Sequence, residues 1–372
     1  MILAALAVCV SALLPPPQEA VDQARLMETL RSFPVMRAAL GGEERRRGLV
    51  QTETMIAEAL RAMGYEPRLE PFMFRRVPDA APKADAPKDG AAPKDVATPG
   101  ADAVAPGTPG PEGHEAAASG ATDVRGTEGP WHNIIVDLPG SEFPREVLLI
   151  GAHFDAVPRS PGADDNASGA AALLEIARVL KDRPMKRTVR LVFFNLEEVG
   201  LVGARHHVRL YPAPGGDTPD AERLIGMVSL ECIGYFSTEP NSQKSPMPPI
   251  KDVFEPPTVG DFIAITTTRL GAAFAGRLDA AMRAAEPNLK TFVASFFPDP
   301  PGTPLDVMRS DHAPFLVMKH PAIMLTGTAN FRNPHYHKPT DTHDTLDPDR
   351  YTLVVRAMAG AVHTLAEPSP RP

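Results

Sequence analysis

Cysteine is scarce in this sequence. Only Cys9 and Cys232 occur among its 372 residues. Cys9 lies in an apolar N-terminal stretch that processing would remove, which would leave Cys232 alone. The chain therefore has no disulfide framework and no thiolate metal site, and any metal must be bound by His, Asp and Glu.

Strong net charge and long apolar runs are also missing. The formal net charge is −8 at pH 7, and such a mild acidic balance gives no reason to expect nucleic acid as a partner. The apolar run over residues 2–14 is too short to span a bilayer, so we expect no stable membrane span. It has the length of a signal-peptide core, although no Lys or Arg precedes it. We expect residues 1–18 to be a signal peptide of an exported (periplasmic or secreted) protein. A cytosolic protein with an apolar first helix is the alternative.

Large apolar residues are absent from residues 79–129, which consist mainly of Ala, Pro, Gly, Asp and Lys. Such a segment cannot bury enough apolar surface to offset the entropy of ordering it. We expect a disordered insertion here. It would divide one folded domain into residues 19–78, with N-terminal helices and a first strand, and residues 130–368.

The rest of the chain alternates between helical and strand patterns. Apolar spacing predicts helices over residues 21–40, 47–63, 167–180, 271–285 and 350–366. Short apolar runs bounded by turn residues predict strands over residues 65–76, 133–138, 147–152, 188–195, 225–230, 262–266 and 322–326. This alternation is typical of an α/β fold in which helices cover both faces of a mostly parallel sheet. In such sheets, sites form outside the carboxyl ends of the strands.

Two acidic motifs follow predicted strands. His153 and Asp155 lie two residues apart, so Asp155 can accept the second ring hydrogen of His153. Alone this is a weak signal, equally typical of a surface histidine. Asp164 and Asp165 precede a predicted helix and could simply cap it. Since the Asp-Asp-Asn run exceeds what a cap needs, we assign Asp165 to bridging two cations.

Paired carboxylates at the end of an apolar strand are the most specific signal for a site in this sequence. Glu197 and Glu198 follow one such strand, and Glu231 ends another. Neighbouring side chains diverge, so one glutamate of the pair can bind metal while the other faces a reacting water. The alternative is that Glu197 and Glu198 simply begin an exposed loop. His337 adds a histidine from the C-terminal part of the chain.

The remaining histidines carry weaker signals. We expect Asp311 and His312 to support the site from behind its ligands. We expect structural or surface roles for four other histidines: His206, His207, His320 and His363.

Taken in order, the segments GAHFDA, PGADDNASG, NLEEVGLVGA, ECIGY, SDHAPF and YHKPTDT resemble the M28 family of zinc peptidases. The resemblance runs from about Asn133 to the C-terminus. It implies a single three-layer domain of the phosphorylase/hydrolase type. It also implies a metallo-aminopeptidase, although carboxypeptidases and dipeptide-removing enzymes also occur in the family. Peptides would be the substrates, and we favour a monomer.

The resemblance also implies roles for individual residues. His153 and Glu231 would bind one zinc ion, Glu198 and His337 would bind a second, and Asp165 would bridge both. Asp155 would orient His153, Glu197 would be the general base, and Tyr336 would stabilise the oxyanion. Glu231 departs from the family, which often has Asp there, so a different divalent metal or partial occupancy at the first site is an open alternative.

Other functions remain open at this point. Glutaminyl cyclases resemble this family, but they commonly carry a Trp-containing loop after the glutamate pair, whereas here Glu198 continues directly into Val199. A non-catalytic binding domain is disfavoured because every ligand position holds a competent side chain. A serine hydrolase is disfavoured because no Gly-X-Ser-X-Gly motif occurs. We expect residues 237–257 and 296–308 to line the specificity pocket.

Overall fold

The computed structural model describes residues 14–74, 130–215, 221–251, 254–296 and 305–367. The insertion predicted over residues 79–129 lies outside these ranges, as does most of the signal peptide predicted over residues 1–18. Within the described ranges, no helix has both the length and the apolar character needed to cross a membrane.

A single sheet of eight strands organises the fold, in the order β1-β2-β4-β3-β5-β8-β6-β7. The strands are β1 (Arg68–Phe72), β2 (Trp131–Leu138), β3 (Phe143–His153), β4 (Arg187–Phe194), β5 (Arg223–Glu231), β6 (Ile263–Thr268), β7 (Thr291–Phe296) and β8 (Ala322–Thr326). Strands β4, β3, β5 and β8 are mutually parallel neighbours, as are β6 and β7. Strand β2 is antiparallel to β1 and β4, and β6 is antiparallel to β8. The prediction of a mostly parallel sheet is confirmed.

Helices cover both faces of this sheet, as predicted. The α-helices are α1 (Gln23–Ser32), α2 (Glu43–Ala62), α3 (Gly169–Leu180), α4 (Val202–His207), α5 (Ala272–Ala285), α6 (Ala313–Val317) and α7 (Pro348–Ala366). Alternate residues of β3 point to opposite faces. Leu148 and Ile150 join the larger core, which contains α1, α2, α3, α5 and α7. Val147 and Leu149 join a smaller core beneath α4 and α6.

The main differences from the sequence prediction are one shortened helix, one unpredicted strand and two unpredicted short helices, α4 and α6. The helix predicted over residues 21–40 ends at Ser32, because Pro34 disfavours helical geometry at the residue before it, and Phe33 is extended. Strand β7 was not predicted. It is an edge strand with several partly exposed side chains, so it lacks the continuous apolar run of the central strands.

Side chains are more deeply buried in the central strands than in the edge strand β7. The same substitution should therefore lower the free energy of unfolding by different amounts in the two places. We expect Val192→Ala in β4, whose side chain is fully buried, to lower the free energy of unfolding by about 2–3 kcal/mol through lost burial and a cavity. The matched change Val293→Ala in β7, at a side chain that is 39% exposed, should cost less than about 0.5 kcal/mol. Denaturant titration of both variants measures the difference, and equal costs would contradict this assignment of the core.

Candidate metal centre

The carboxyl ends of the parallel strands bring the predicted site residues to one edge of the sheet. His153 is the last residue of β3, and Glu231 is the last residue of β5. Glu197 and Glu198 follow β4, which pairs in parallel with β3. Asp165 precedes α3, and His337 lies in the loop after β8. The five predicted metal ligands thus converge from five separate segments.

Asp165 lies between two histidine–carboxylate pairs. Its Oδ1 atom is 3.4 Å from His153 Nε2, which is also 3.4 Å from Glu231 Oε2. Its Oδ2 atom is 3.0 Å from His337 Nε2, which is 3.3 Å from Glu198 Oε2. The two oxygens of one carboxylate therefore face two different groups of nitrogen and oxygen atoms.

Several atoms of this cluster lack the partners that buried polar atoms normally have. His153 Nε2, His337 Nε2, Asp165 Oδ2 and Glu198 Oε1 are buried and make no hydrogen bond within the described residues. Unsatisfied buried polar atoms are costly, and cations bound in the two groups would satisfy these atoms. The donors are imidazole nitrogens and carboxylate oxygens, which suit zinc. The residues present therefore fit a metal ion, and ligand roles for them stay a prediction.

Asp155 organises the glutamate pair through the main chain. Its Oδ1 accepts the backbone N–H of Glu197 at 3.0 Å, and its Oδ2 accepts that of Glu198 at 3.1 Å. Nδ1 of His153 is 3.2 Å from the backbone oxygen of Asp155 and 3.4 Å from its carboxylate. The backbone oxygen is thus the nearer partner of the imidazole, and the Asp155 carboxylate is used chiefly to hold the loop after β4.

Glu197 lies among other acids in the site. Burial raises its pKa well above the ordinary glutamate value, and the charges of Glu198 and Glu231 act in the same direction against the opposing effect of His153. A raised pKa is a property of carboxylates that accept and return protons near neutral pH. Glu197 also lies within ligand distance of His153 and Glu231, so it borders the first group of donors.

Two further aspartates hold the Asp165 loop, and the sequence reasoning assigned neither role. Asp341 accepts the backbone N–H groups of Asp164 at 3.0 Å and Asp165 at 3.2 Å. Asp164 accepts the backbone N–H of Gly234 at 2.8 Å and a side-chain hydrogen bond from Asn333 at 2.9 Å. Both acids lie within motifs that carried the family resemblance. Their membership in those motifs is the only sequence signal that could have indicated the roles.

Ser310 and the two residues that follow it, Asp311 and His312, lie next to the predicted site. Ser310 donates to Glu231 Oε2 at 2.7 Å, which fixes the longer glutamate side chain. Asp311 is fully buried, and neither of its carboxylate oxygens has a hydrogen-bond partner within the described residues. His312 is 2.9 Å from the backbone oxygen of Val307. Ser310 was missed from sequence, while Asp311 and His312 lie near the site as expected.

Tyr336 borders both the cluster and a cavity. Its ring stacks on His337 with centroids 3.9 Å apart, and its hydroxyl accepts a hydrogen bond of 3.0 Å from Arg309. Burial raises the tyrosine pKa well above its usual value, with Asp165 and Glu198 adding to the effect, so the hydroxyl remains protonated. Because Arg309 occupies a lone pair of this oxygen, the hydroxyl hydrogen is free to donate elsewhere.

A cavity of about 90 Å³ adjoins the cluster at Glu231 and Tyr336. Its walls are mostly apolar and aromatic, including Phe254, Phe262, Phe292, Phe296 and Met324. Residues 243–246, 254, 256–257 and 306–307 also contribute, so the wall draws on both segments expected to form a specificity pocket.

The other histidines singled out in the sequence lie away from the cluster. His207 is buried in contact with Glu70, with Nδ1–O distances of 3.0 and 3.1 Å. His320 packs against Tyr211, and His206 packs against Phe72. His363 lies in α7, on the other face of the sheet from α4.

Comparison with known proteins identifies relatives by sequence. The model of the family described as "Peptidase family M28" matches residues 133–362. The uncharacterized protein YfbL of Escherichia coli K12 is 34% identical over 250 residues, which cover 63% of this chain and 71% of that protein. Aminopeptidase YwaD of Bacillus subtilis is 48% identical over 63 residues, which are 17% of this chain and 14% of that protein. The match to this aminopeptidase therefore spans a small part of either protein.

Among solved structures, glutaminyl cyclase from Fimbriiglobus ruber has the same fold. The TM-score is 0.59 at 16% identity, and the alignment covers 92% of this chain and 95% of that one. At this identity the likeness shows the fold alone.

The electrostatics of the cluster predict that zinc binding depends on pH. In the metal-free site, burial tends to lower the pKa of His337, but Glu198 and Asp165 outweigh it and raise that pKa to about 10. Burial and Asp165 raise the pKa of Glu198 to about 7. Both groups must lose their protons to bind a metal, so zinc affinity should fall about tenfold or more per unit as pH decreases from 8 to 6.

Calorimetric titration with zinc in two buffers of different ionisation enthalpy measures both the affinity and the released protons. His337→Gln should weaken zinc binding and reduce the proton release. His343→Gln, at an exposed histidine, serves as the control and should behave as the native chain does. An affinity independent of pH would contradict the ligand assignment.

Proposed function

The chain is a member of peptidase family M28, and we propose that it is a zinc-dependent aminopeptidase that releases N-terminal residues from peptides. One observation carries this proposal. The two oxygens of Asp165 face two separate histidine–carboxylate pairs, 3.4 Å from His153 Nε2 and 3.0 Å from His337 Nε2. A single carboxylate placed in this way suits a site for two cations.

We assign His153, Glu231 and Asp165 Oδ1 to one zinc ion, and His337, Glu198 and Asp165 Oδ2 to the other. Zinc bound here would polarise the scissile carbonyl and lower the pKa of the attacking water. The backbone contacts of Asp155 and Asp341 support the assignment, because they hold the loops of two of these ligands, Glu198 and Asp165, in place. Ordered supporting residues of this kind are typical of metal sites.

Glu197 acts as the general base in this proposal. It borders the first donor group, and its pKa is raised by burial and by neighbouring acids. It takes a proton from the attacking water and delivers it to the leaving amine. A carboxylate of ordinary pKa would be a weaker proton acceptor and would return the proton less readily near neutral pH.

Tyr336 stabilises the developing oxyanion. Its hydroxyl accepts from Arg309 and therefore directs its own hydrogen away from the arginine, toward a carbonyl oxygen bound beside His337. A hydrogen-bond donor aimed at a developing negative charge typically contributes a few kcal/mol to catalysis, about 3–4 kcal/mol in the best-studied cases.

The adjoining cavity receives the side chain of the N-terminal residue. Phenylalanine rings dominate its wall, and Glu231 and Tyr336 place it next to the reacting bond. An apolar substrate side chain gains hydrophobic free energy against these rings, while a charged one loses hydration there. We therefore propose bulky apolar residues as the preferred substrates.

Glutaminyl cyclase is the second candidate, because a cyclase shares this fold. The direct continuation of Glu198 into Val199, in place of the Trp-containing loop common in cyclases, favours the aminopeptidase. Export of the protein is a further proposal that rests on the apolar character of residues 2–14.

Replacing the general base should separate catalysis from metal binding. We expect Glu197→Gln to lower kcat by about 10²–10⁴-fold while the zinc content remains unchanged, because the amide cannot accept the proton of the water. Steady-state assays together with elemental analysis measure the two quantities. Glu66→Gln, at an exposed position, is the matched control and should be fully active. Full activity of the Glu197 variant would remove this residue from the mechanism.

A substrate panel distinguishes the candidate activities. We expect release of free Leu and Phe from aminoacyl amides, with kcat/KM about 10- to 100-fold above the Asp and Lys amides. N-acetylated peptides should not be cleaved, because aminopeptidases require a free N-terminus. Formation of a cyclised product from N-terminal Gln, without release of free residues, would instead establish the cyclase. Absence of both activities in a zinc-loaded protein would favour a binding domain.

A further inference from the structure

Arg37 is a buried cation in the segment between α1 and α2, far in sequence from every predicted ligand. Its side chain is 1% exposed. A buried guanidinium usually pairs with a carboxylate, because an unpaired charge is costly to bury. The hydrogen bonds of Arg37 go instead to backbone oxygens, which is an unusual use of a buried arginine.

One of those backbone oxygens is that of Pro34, in the same segment as Arg37, and the other three belong to the two segments that carry His153 and Asp165. Nε donates to the oxygen of Phe154 at 2.9 Å, directly after His153. Nη1 donates to the oxygen of Pro161, and Nη2 donates to the oxygen of Gly162, which precede Asp165. One planar group therefore joins the segment that ends β3 to the segment that carries the bridging aspartate.

The neighbouring main chain also supports the contact between Arg37 and these two segments. The backbone oxygen of Arg37 accepts the N–H of Ala156 at 2.9 Å, so the main chain repeats the link made by the side chain. Gly162 has a φ of +65°, and a Cβ atom there would lie 2.7 Å from Arg37 Nη2. A larger residue at position 162 would therefore clash with the guanidinium.

The charge of Arg37 also fits this location. Burial lowers its pKa to about 10, and the nearby acids Asp341, Asp165, Asp155 and Glu198 oppose that decrease. The group thus remains cationic at neutral pH. It lies close enough to these carboxylates to reduce their mutual repulsion when no metal is bound.

We propose that Arg37 is a positioning residue of the metal centre, which fixes the segments of His153 and Asp165 relative to each other and thereby sets the affinity for zinc. This rests on the proposed function, since it presumes that those residues bind zinc. Arg37 contacts main-chain oxygens beside the ligands and takes no part in proton transfer.

If Arg37 positions the ligand segments, its replacement should weaken zinc binding. If only its charge matters, removal of that charge should strengthen zinc binding, and this difference makes the proposal testable. Arg37→Lys keeps the charge but cannot reach all of the backbone oxygens, because an ammonium lacks the planar fork. Arg37→Gln removes the charge, and if charge alone mattered it would bind zinc more tightly, since a cation near the site repels the metal. If positioning dominates, both variants bind zinc more weakly.

The experiment measures zinc affinity of the full chain by competition with a chromophoric chelator. We expect Arg37→Lys and Arg37→Gln to weaken binding by about 10- to 100-fold, as removal of residues that orient ligands does elsewhere. Arg45→Lys is the matched control. Arg45 lies in the first turn of α2 and donates to the backbone oxygen of Pro158, but it is only half-buried, and its side-chain hydrogen bonds reach no residue beside a predicted ligand. The zinc affinity of Arg45→Lys should equal that of the native chain.

A spectroscopic measurement separates positioning from loss of stability. The visible spectrum of the cobalt-substituted protein reports ligand geometry, and it should change in Arg37→Lys but not in Arg45→Lys. Addition of guanidinium ion to Arg37→Ala should restore zinc affinity, whereas ammonium should not. These readouts would not respond to a general loss of stability.

Each outcome decides between the alternatives. Native zinc affinity in Arg37→Lys, or tighter binding in Arg37→Gln, would overturn the proposal while leaving the aminopeptidase intact. Failure of all the Arg37 variants to fold, judged by circular dichroism, would also overturn it, because Arg37 would then determine the whole fold. A native chain that binds no zinc would refute the proposed function itself.

Discussion

The burial of many carboxylates at one edge of the sheet is the constraint on which the rest of this structure depends. Asp155, Asp164, Asp165, Glu197 and Glu231 are all at most 9% exposed, and each would repel its neighbours in a medium of low polarity. The protein offsets this cost in two ways. Histidines, backbone N–H groups and one guanidinium surround the acids, and the remaining unsatisfied atoms point toward positions that a divalent cation can occupy.

The acids divide into two groups by what they contact. Asp155, Asp164 and Asp341 accept backbone N–H groups and so determine the course of the loops after β4, before α3 and after β5. Asp165, Glu198 and Glu231 point their side chains toward the histidines instead. The first group therefore shapes the site, and the second is available for binding. A carboxylate that accepts backbone hydrogen bonds is as necessary to this arrangement as one that would touch the metal.

Much of this arrangement could be predicted from sequence, because apolar strands that end in acids or histidine mark the carboxyl edge of a parallel sheet. His153, Glu198 and Glu231 follow this rule directly. The roles of Asp341 and Arg37 could not be predicted, since both residues contact main-chain atoms far away in sequence, and such contacts leave no pattern of side chains. Arg37 even fell within the helix predicted over residues 21–40, which in fact ends at Ser32. Strand β7 was missed for a related reason, because an edge strand does not need continuous apolar residues.

The phenylalanine rings of the cavity wall come from a different part of the chain than three of the predicted ligands. Phe254, Phe262, Phe292 and Phe296 come from β6, β7 and the segment before them, whereas His153, Asp165 and Glu198 come from β3, β4 and the turn into α3. Substitution of these four rings would therefore reshape the wall without removing a backbone hydrogen bond to the acids. Related sequences can thus diverge in the shape of this wall while they retain the same cluster of carboxylates.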